Sequence, residues 1–204
     1  MTRDYVYDQG FAQERARLAG MESLWDPGSQ ALLTEIGVSR GCSCLEVGAG
    51  GGSLVEWLIG RGATVMAIDI DTRFIEPLAS DVVEVRRVDL RTDELPQARF
   101  DLVHARLVLE HLTERRQILD RLAAALRPGG WLVAEEPDNA VAEAVDRAHP
   151  LPEVFDSCNR KRIEFTSAAG ITDLRFGKVL PIYMEALGLV EMGNEGVARC
   201  GPRR

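Results

Sequence analysis

The chain contains no apolar run approaching the ~18 residues that a membrane span requires, and its first residues, Met1 to Tyr5, carry no apolar core of an export signal. Neither bilayer insertion nor secretion is expected, and a cytoplasmic location is. Cysteine is scarce: Cys42, Cys44, Cys158 and Cys200 are too few and too scattered for a disulfide scaffold or a zinc site. Cys42 and Cys44, two apart in an apolar run, should point to the same side of a strand as small buried thiols. No metal-ligand cluster is visible either, so no metal is expected. Positive charge is also short. With 24 Lys and Arg against 32 Asp and Glu, the formal net charge is −8, which disfavours the basic face that nucleic acid demands. Only Arg199 to Arg204 is locally basic, too short for more than a solvated terminus. Internal repeats are lacking too, and 204 residues suit one domain at the prior of roughly 100–200 residues each.

What is present is alternation. Asp26 and Pro27 read as an N-cap and a first helical position, opening a helix through Leu32, Leu33 and Ile36 that Gly37 closes. An apolar run from Cys42 to Val47 ends in glycines. A helix from about Ser53 to Gly60 follows, then a strand from Ala63 to Ile70, a helix near Thr72 to Ala79 and a strand from Val82 to Val88. Phe100 to Ala105 is a further strand. Thr113 caps a helix to Leu126, with Ile118, Leu119, Leu122 and Leu126 at helical spacing, and Pro128, Gly129 and Gly130 stop it before the strand Trp131 to Ala134. The stretch 139–170 holds helical pieces interrupted by Pro150 and Pro152. Val179 to Leu187 reads as a helix, in which Pro181 is tolerable only within the first turn, and Leu189 to Ala198 as a final strand. Such alternation predicts an α/β fold: a Rossmann-like, doubly wound, mostly parallel sheet with helices on both faces. The chain divides into an N-terminal helical cap (1–25), a ligand-binding core (26–138) and substrate-side helices with the last strand (139–204).

The informative stretch is Glu46, Val47, Gly48, Ala49, Gly50, Gly51, Gly52 and Ser53, where the first strand hands over to a helix. Glycines there permit a tight turn and close approach of a ligand, and the helix N-terminus offers unpaired N–H groups. A dinucleotide site wants a small third residue where Ser53 stands, and a carboxylate at Glu46 would face pyrophosphate, so nicotinamide binding is disfavoured. Facing an ammonium, as at the amino-acid end of a methionine, Glu46 makes electrostatic sense. Asp69 closes the second strand, 17 positions beyond Gly52, where an acidic side chain can accept both ribose hydroxyls, with Ile70 against an adenine face. Asp89 and Leu90 follow the third strand, a carboxylate for the adenine amine and an apolar residue for its ring.

These features come in order at three successive strand ends. The runs LEVGAGGGSL, AIDIDTRFIE, VEVRRVDL, FDLVHARLVLEHL and LRPGGWLVAEEPD resemble the class I S-adenosylmethionine-dependent methyltransferases, in the small stand-alone actinobacterial form of the methyltransferase-domain family, over about residues 5 to 196. The resemblance implies strand order 3-2-1-4-5-7-6 and S-adenosylmethionine as cofactor. It makes Glu46, Gly48, Ala49, Gly50 and Gly52 the methionine-side loop, Asp69 the ribose ligand, Asp89 and Leu90 the adenine contacts, and Ala105 with Arg106 the backbone beside the methionine. Arg106 is less typical of the family; it either binds the methionine carboxylate or points to solvent. The family continues past the strand Leu189 to Ala198, so the seventh strand is in question. The last strand then pairs beside the fifth, swaps with a partner in a homodimer, or stays poorly ordered.

The activity implied is transfer of a methyl group to O, N or C of a small organic acceptor, as in natural-product biosynthesis. The alternative is a protein that binds S-adenosylmethionine or S-adenosylhomocysteine without methyl transfer. Neither nucleic acid nor membrane is an expected partner. His111, after the fourth strand, and Glu135, ending the fifth, are the candidate bases; His111 belongs to a Leu109 to Leu112 signature shared across the family, which also admits a structural role. His104, inside the fourth strand, reads as packed and hydrogen-bonded. Glu136, at the same strand end as Glu135, either steers a cationic amine or acts as a base, or is a solvated carboxylate, and His149 faces either site or solvent. On the substrate side the expectations are Glu135, Asp138, Tyr5 and Tyr7, the tyrosines in a segment that either anchors over the cofactor or frays.

Overall fold

A computed structural model of the chain describes residues 13–197. Among them a five-stranded sheet forms in the order β3-β2-β1-β4-β5, every pair parallel. The strands are β1 (Ser43–Val47), β2 (Thr64–Asp69), β3 (Val83–Arg87), β4 (Phe100–Arg106) and β5 (Leu126–Glu135). Central strands buried on both faces explain their unbroken apolar character. One face, with Leu45, Val47, Ile68, Val103 and Ala105, packs against α3 (Arg115–Ala125) and α5 (Phe176–Glu185) through Ile118, Leu119, Leu122 and Phe176. The other, with Cys44, Val65, Ala67 and Leu102, meets α1 (Glu14–Glu35) and α2 (Ser53–Gly60) through Leu33, Val55 and Leu58. Cys42 and Cys44 share this second face as free thiols, and burial pushes Cys44 up to about 12, which leaves it unreactive. A fourth helix, α4 (Pro152–Ala168), packs on the short 3₁₀ turn Asn139–Val141. No helix among the described residues is long and apolar enough to cross a membrane.

Several expectations are corrected. Asp26 and Pro27 do not start a helix: α1 runs unbroken through both, so the boundary at residue 25 falls inside it. The Asp26 carboxylate is spent on tertiary partners, Arg106 and Ser53, rather than on capping. The expected helix from Thr72 to Ala79 shrinks to a 3₁₀ turn, Glu76–Leu78, around Pro77, which has no N–H to extend it. Thr113 donates to Glu114 instead of capping α3. Pro128 to Gly130 lies within β5 at a register irregularity opposite Phe100 to Leu102, not at a helix end. Pro181 sits at the sixth position of α5, past the first turn. The last expected strand is absent: residues 188–197 form no strand, and the two further strands of the 3-2-1-4-5-7-6 order are not found among the described residues.

Candidate functional site

Parallel strands deliver their C-terminal ends to one edge, and there a cavity of about 490 Å³ opens. That is within the usual range of small-molecule sites, roughly 300–1,000 Å³. Its walls come from the loop after β1 (46–51), the ends of β2 (68–71) and β3 (88–91), the segment after β4 (106–114), the N-terminal half of α1, and residues 169–171.

The glycine loop has the backbone its composition demands. Gly48, Gly50 and Gly52 adopt φ of +67°, +55° and +90°, the left-handed region that glycine enters without penalty. Gly52 is the N-cap of α2, and side chains have taken the space a Cβ would need there: it would stand 2.6 Å from Leu78 Cδ1. At Gly51 the same space is filled by the Arg15–Glu22 ion pair of α1, so this helix lies directly over the loop.

Asp69 and Asp89 stand in the same cavity at adjacent strand ends. Asp69 accepts from the backbone N–H of Gly50 through Oδ2 (2.8 Å) and of Asp71 through Oδ1 (2.9 Å). It is thereby aimed while each oxygen keeps a second lone pair. Burial raises its pKa against the lowering effect of those two bonds. Asp89 pairs with Arg91, whose guanidinium reaches both carboxylate oxygens and holds the pKa below the usual range. Ile70 and Leu90 line the wall between these carboxylates, and Glu46, Gly48, Ala49, Gly50 and Arg106 line it too. A ligand with an adenosine at the two aspartates and an amino acid at the glycine loop fits this donor and acceptor set.

Four assignments move. Ala105 is fully buried on the α3/α5 face and does not line the cavity; Leu107, in a strained non-glycine φ of +58°, and Val108 form the wall there. Arg106 turns neither to solvent nor to a free position: its guanidinium donates to Ser29 Oγ (2.8 Å) and Asp26 Oδ1 (2.9 Å) on α1. Glu135 lies outside the cavity, its carboxylate 2.8 Å from His104 Nε2. Burial opposes its ionisation, but bonds from His104 and Ser29 hold its pKa below the ordinary value, the wrong direction for a base. Asp138 also lies off the cavity wall. His149 does too, with its Nδ1 accepting from Leu151 N. Tyr5 and Tyr7 fall outside the described residues.

His111 does line the cavity, on the 3₁₀ turn Leu109–His111. Burial, with the nearby Arg17 and Arg115 charges, lowers its pKa to about 4, so at neutral pH the ring is uncharged and can accept a hydrogen bond, but it is a weak base. His104 is fully buried and hydrogen-bonded, as its strand position predicts.

Sequence reasoning left Glu136 open between a site role and a solvated carboxylate, and it missed Glu110. Glu136 is not solvated: it accepts from the backbone N–H groups of Val108 (3.0 Å), Leu109 (2.7 Å) and Glu110 (3.2 Å), fixing the turn, and burial raises it to about 8. Glu110, 7% exposed in the cavity wall, is raised to about 7 by burial, and its Oε2 has no partner. A strand end carries no signal that a turn 26 to 28 residues earlier will fold its N–H groups onto it.

The methyltransferase-domain family matches residues 12–174. The chain is 32% identical over 160 residues to the methyltransferase str2 of Strobilurus tenacellus, covering 76% of this chain and 55% of that one. It is 30% identical over 101 residues to the ubiquinone biosynthesis O-methyltransferase of Paracidovorax citrulli, covering 46% and 42%. The chain thus spans about half the length of the curated relatives it matches. Among solved structures, a SAM-dependent methyltransferase from Aquifex aeolicus shares the fold at a TM-score of 0.56, with 20% identity, over 85% of this chain and 87% of that one. The family match, together with a glycine loop and two strand-end aspartates around one cavity, makes this chain a member of the class I S-adenosylmethionine-dependent methyltransferases.

Proposed function

We propose that the chain transfers a methyl group from S-adenosylmethionine to O, N or C of a small organic acceptor. The observation that carries this reading is the placement of Glu46, the glycine loop, Asp69 and Asp89 around one cavity, in the order that an amino acid, ribose and adenine would occupy. S-adenosylmethionine supplies a methyl carbon on a positively charged sulfur. The chain's residues do the rest: Asp69 orients the ribose, Ile70 and Leu90 sandwich the base, and α1 with residues 169–171 closes the walls against water. His111, uncharged and in the wall, accepts a hydrogen bond from the hydroxyl or amine of the acceptor and orients it; its lowered pKa makes it too weak a base to take the proton outright. The net charge of −8 and a cavity of about 490 Å³ support a small molecule over a nucleic acid. A relative named for ubiquinone biosynthesis supports the same class.

Calorimetric titration with S-adenosylmethionine, followed by an acceptor panel read as S-adenosylhomocysteine released, tests the reading. Binding and turnover are expected. Absence of binding overturns it, and binding without turnover on any acceptor replaces it with a non-methylating cofactor binder.

A further inference from the structure

Beneath the glycine loop, between the sheet and α1, runs a chain of charged hydrogen bonds for which the proposed chemistry has no use. His104 on β4 is fully buried, with Nδ1 2.8 Å from Glu46 Oε2 and Nε2 2.8 Å from Glu135 Oε1. Carboxylate oxygens only accept, so satisfying both contacts takes an N–H on each ring nitrogen, and the imidazole is then a cation. Glu135 is also met by the Ser29 hydroxyl and lies near the Arg106 charge. Arg106 in turn holds Ser29 and Asp26, and Asp26 Oδ1 accepts from Ser53 Oγ at 3.1 Å. This run begins at Glu46, two residues before Gly48, and ends at Ser53, the residue after Gly52. It brackets the loop from both sides.

We propose that His104 is a positioning residue: anchored by Glu135, it carries the positive charge that fixes the Glu46 carboxylate at the amino-acid end of the cofactor. Two carboxylates around one imidazolium leave one net negative charge, the complement of one ammonium. Take the cation away and Glu135 keeps the Arg106 charge nearby, but the buried Glu46 carboxylate loses the partner that aims it. Burial alone would lower the pKa of His104, but the Glu46 charge and the bonds to both carboxylates outweigh it and raise it to about 9, so the cation persists at neutral pH. The proposal rests on the assignment of Glu46 to the cofactor's ammonium.

The test compares two ligands by calorimetry: S-adenosylhomocysteine, and 5′-methylthioadenosine, which keeps the nucleoside thioether and lacks the amino acid. His104→Gln is expected to weaken S-adenosylhomocysteine roughly tenfold to hundredfold, the effect of a charge-assisted hydrogen bond. Methylthioadenosine should stay within about twofold, because nothing at the nucleoside end has moved. In a Glu46→Gln background, His104→Gln should cost no further affinity, since it acts through Glu46. Equal loss for both ligands, or losses that add, overturns the proposal. If Glu46→Gln weakens S-adenosylhomocysteine and His104→Gln does not, the proposal alone fails. If Glu46→Gln has no effect, the assignment of Glu46 fails and takes the proposal with it. Should His104→Gln not fold, Glu135→Gln carries the test: it keeps an acceptor on Nε2 but removes the charge that holds the proton. A severalfold loss confined to S-adenosylhomocysteine is then expected, and an unchanged ratio of the two affinities overturns the proposal.

Discussion

Replacing Gly48 by alanine perturbs the site at its tightest point. Gly48 follows β1 with φ of +67°, and a Cβ there would stand 3.6 Å from Val108 Cβ with Val108 Cγ2 well inside contact distance. A left-handed backbone costs an alanine roughly 1–2 kcal/mol, and forcing a methyl into a packed contact costs about 1–3 kcal/mol. Val108 cannot yield cheaply, because its N–H is one of three that Glu136 holds. Gly48→Ala should therefore cost about 2–5 kcal/mol of stability. Val108→Ala removes the clashing methyl and leaves the backbone strain. Combining the two substitutions should recover about 1–3 kcal/mol relative to the sum of the single changes. Urea unfolding of the four proteins of this cycle measures the coupling. A cost below about 1 kcal/mol for Gly48→Ala, or no coupling with Val108→Ala, would refute the steric account.

Asp69→Ala removes the acceptor set for the ribose and should weaken S-adenosylhomocysteine by about 1–3 kcal/mol in calorimetry; unchanged affinity would sink the ribose assignment. Pro27→Ala restores an N–H in the interior of α1 and should raise stability by about 2 kcal/mol, less the small loss of unfolded-chain rigidity, so a fall in the urea midpoint argues against it. The pH profile of stability follows His104. Its folded pKa, about 9, lies above the unfolded value of 6.5, so its contribution is full below pH 6.5 and is lost as pH rises to 9. That loss is about 3 kcal/mol. Burial also raises Glu110 to about 7 and Glu136 to about 8, and both reduce stability in the same direction up to those values. Unfolding free energies that stay level or rise between pH 6.5 and 9 would contradict the imidazolium.

What was legible in the sequence was local chemistry. The strands Cys42 to Val47, Ala63 to Ile70 and Phe100 to Ala105 appear within two residues of their expected bounds, because a strand buried on both faces needs an unbroken apolar run. The helix Ser53–Gly60 appears as expected. Punctuation misled where a partner far along the chain competed for it. Asp26 reads as a cap until Arg106 and Ser53 are beside it, and Leu189 to Ala198 reads as a strand although residues 189–197 pair with no neighbour among the described residues.

Residue order alone was enough for the five central strands, the glycine turn and the strand-end carboxylates Glu46, Asp69 and Asp89 of the cavity wall, since these depend on backbone freedom and on where strands end. Which charges neutralise one another was settled by the packing of distant segments. Glu135 belongs to His104, Arg106 to α1 and Glu136 to the turn before α3. Such pairings join residues 26 to 80 positions apart, and residue type fixes how strong such a pair can be but not which distant group folding will bring within reach.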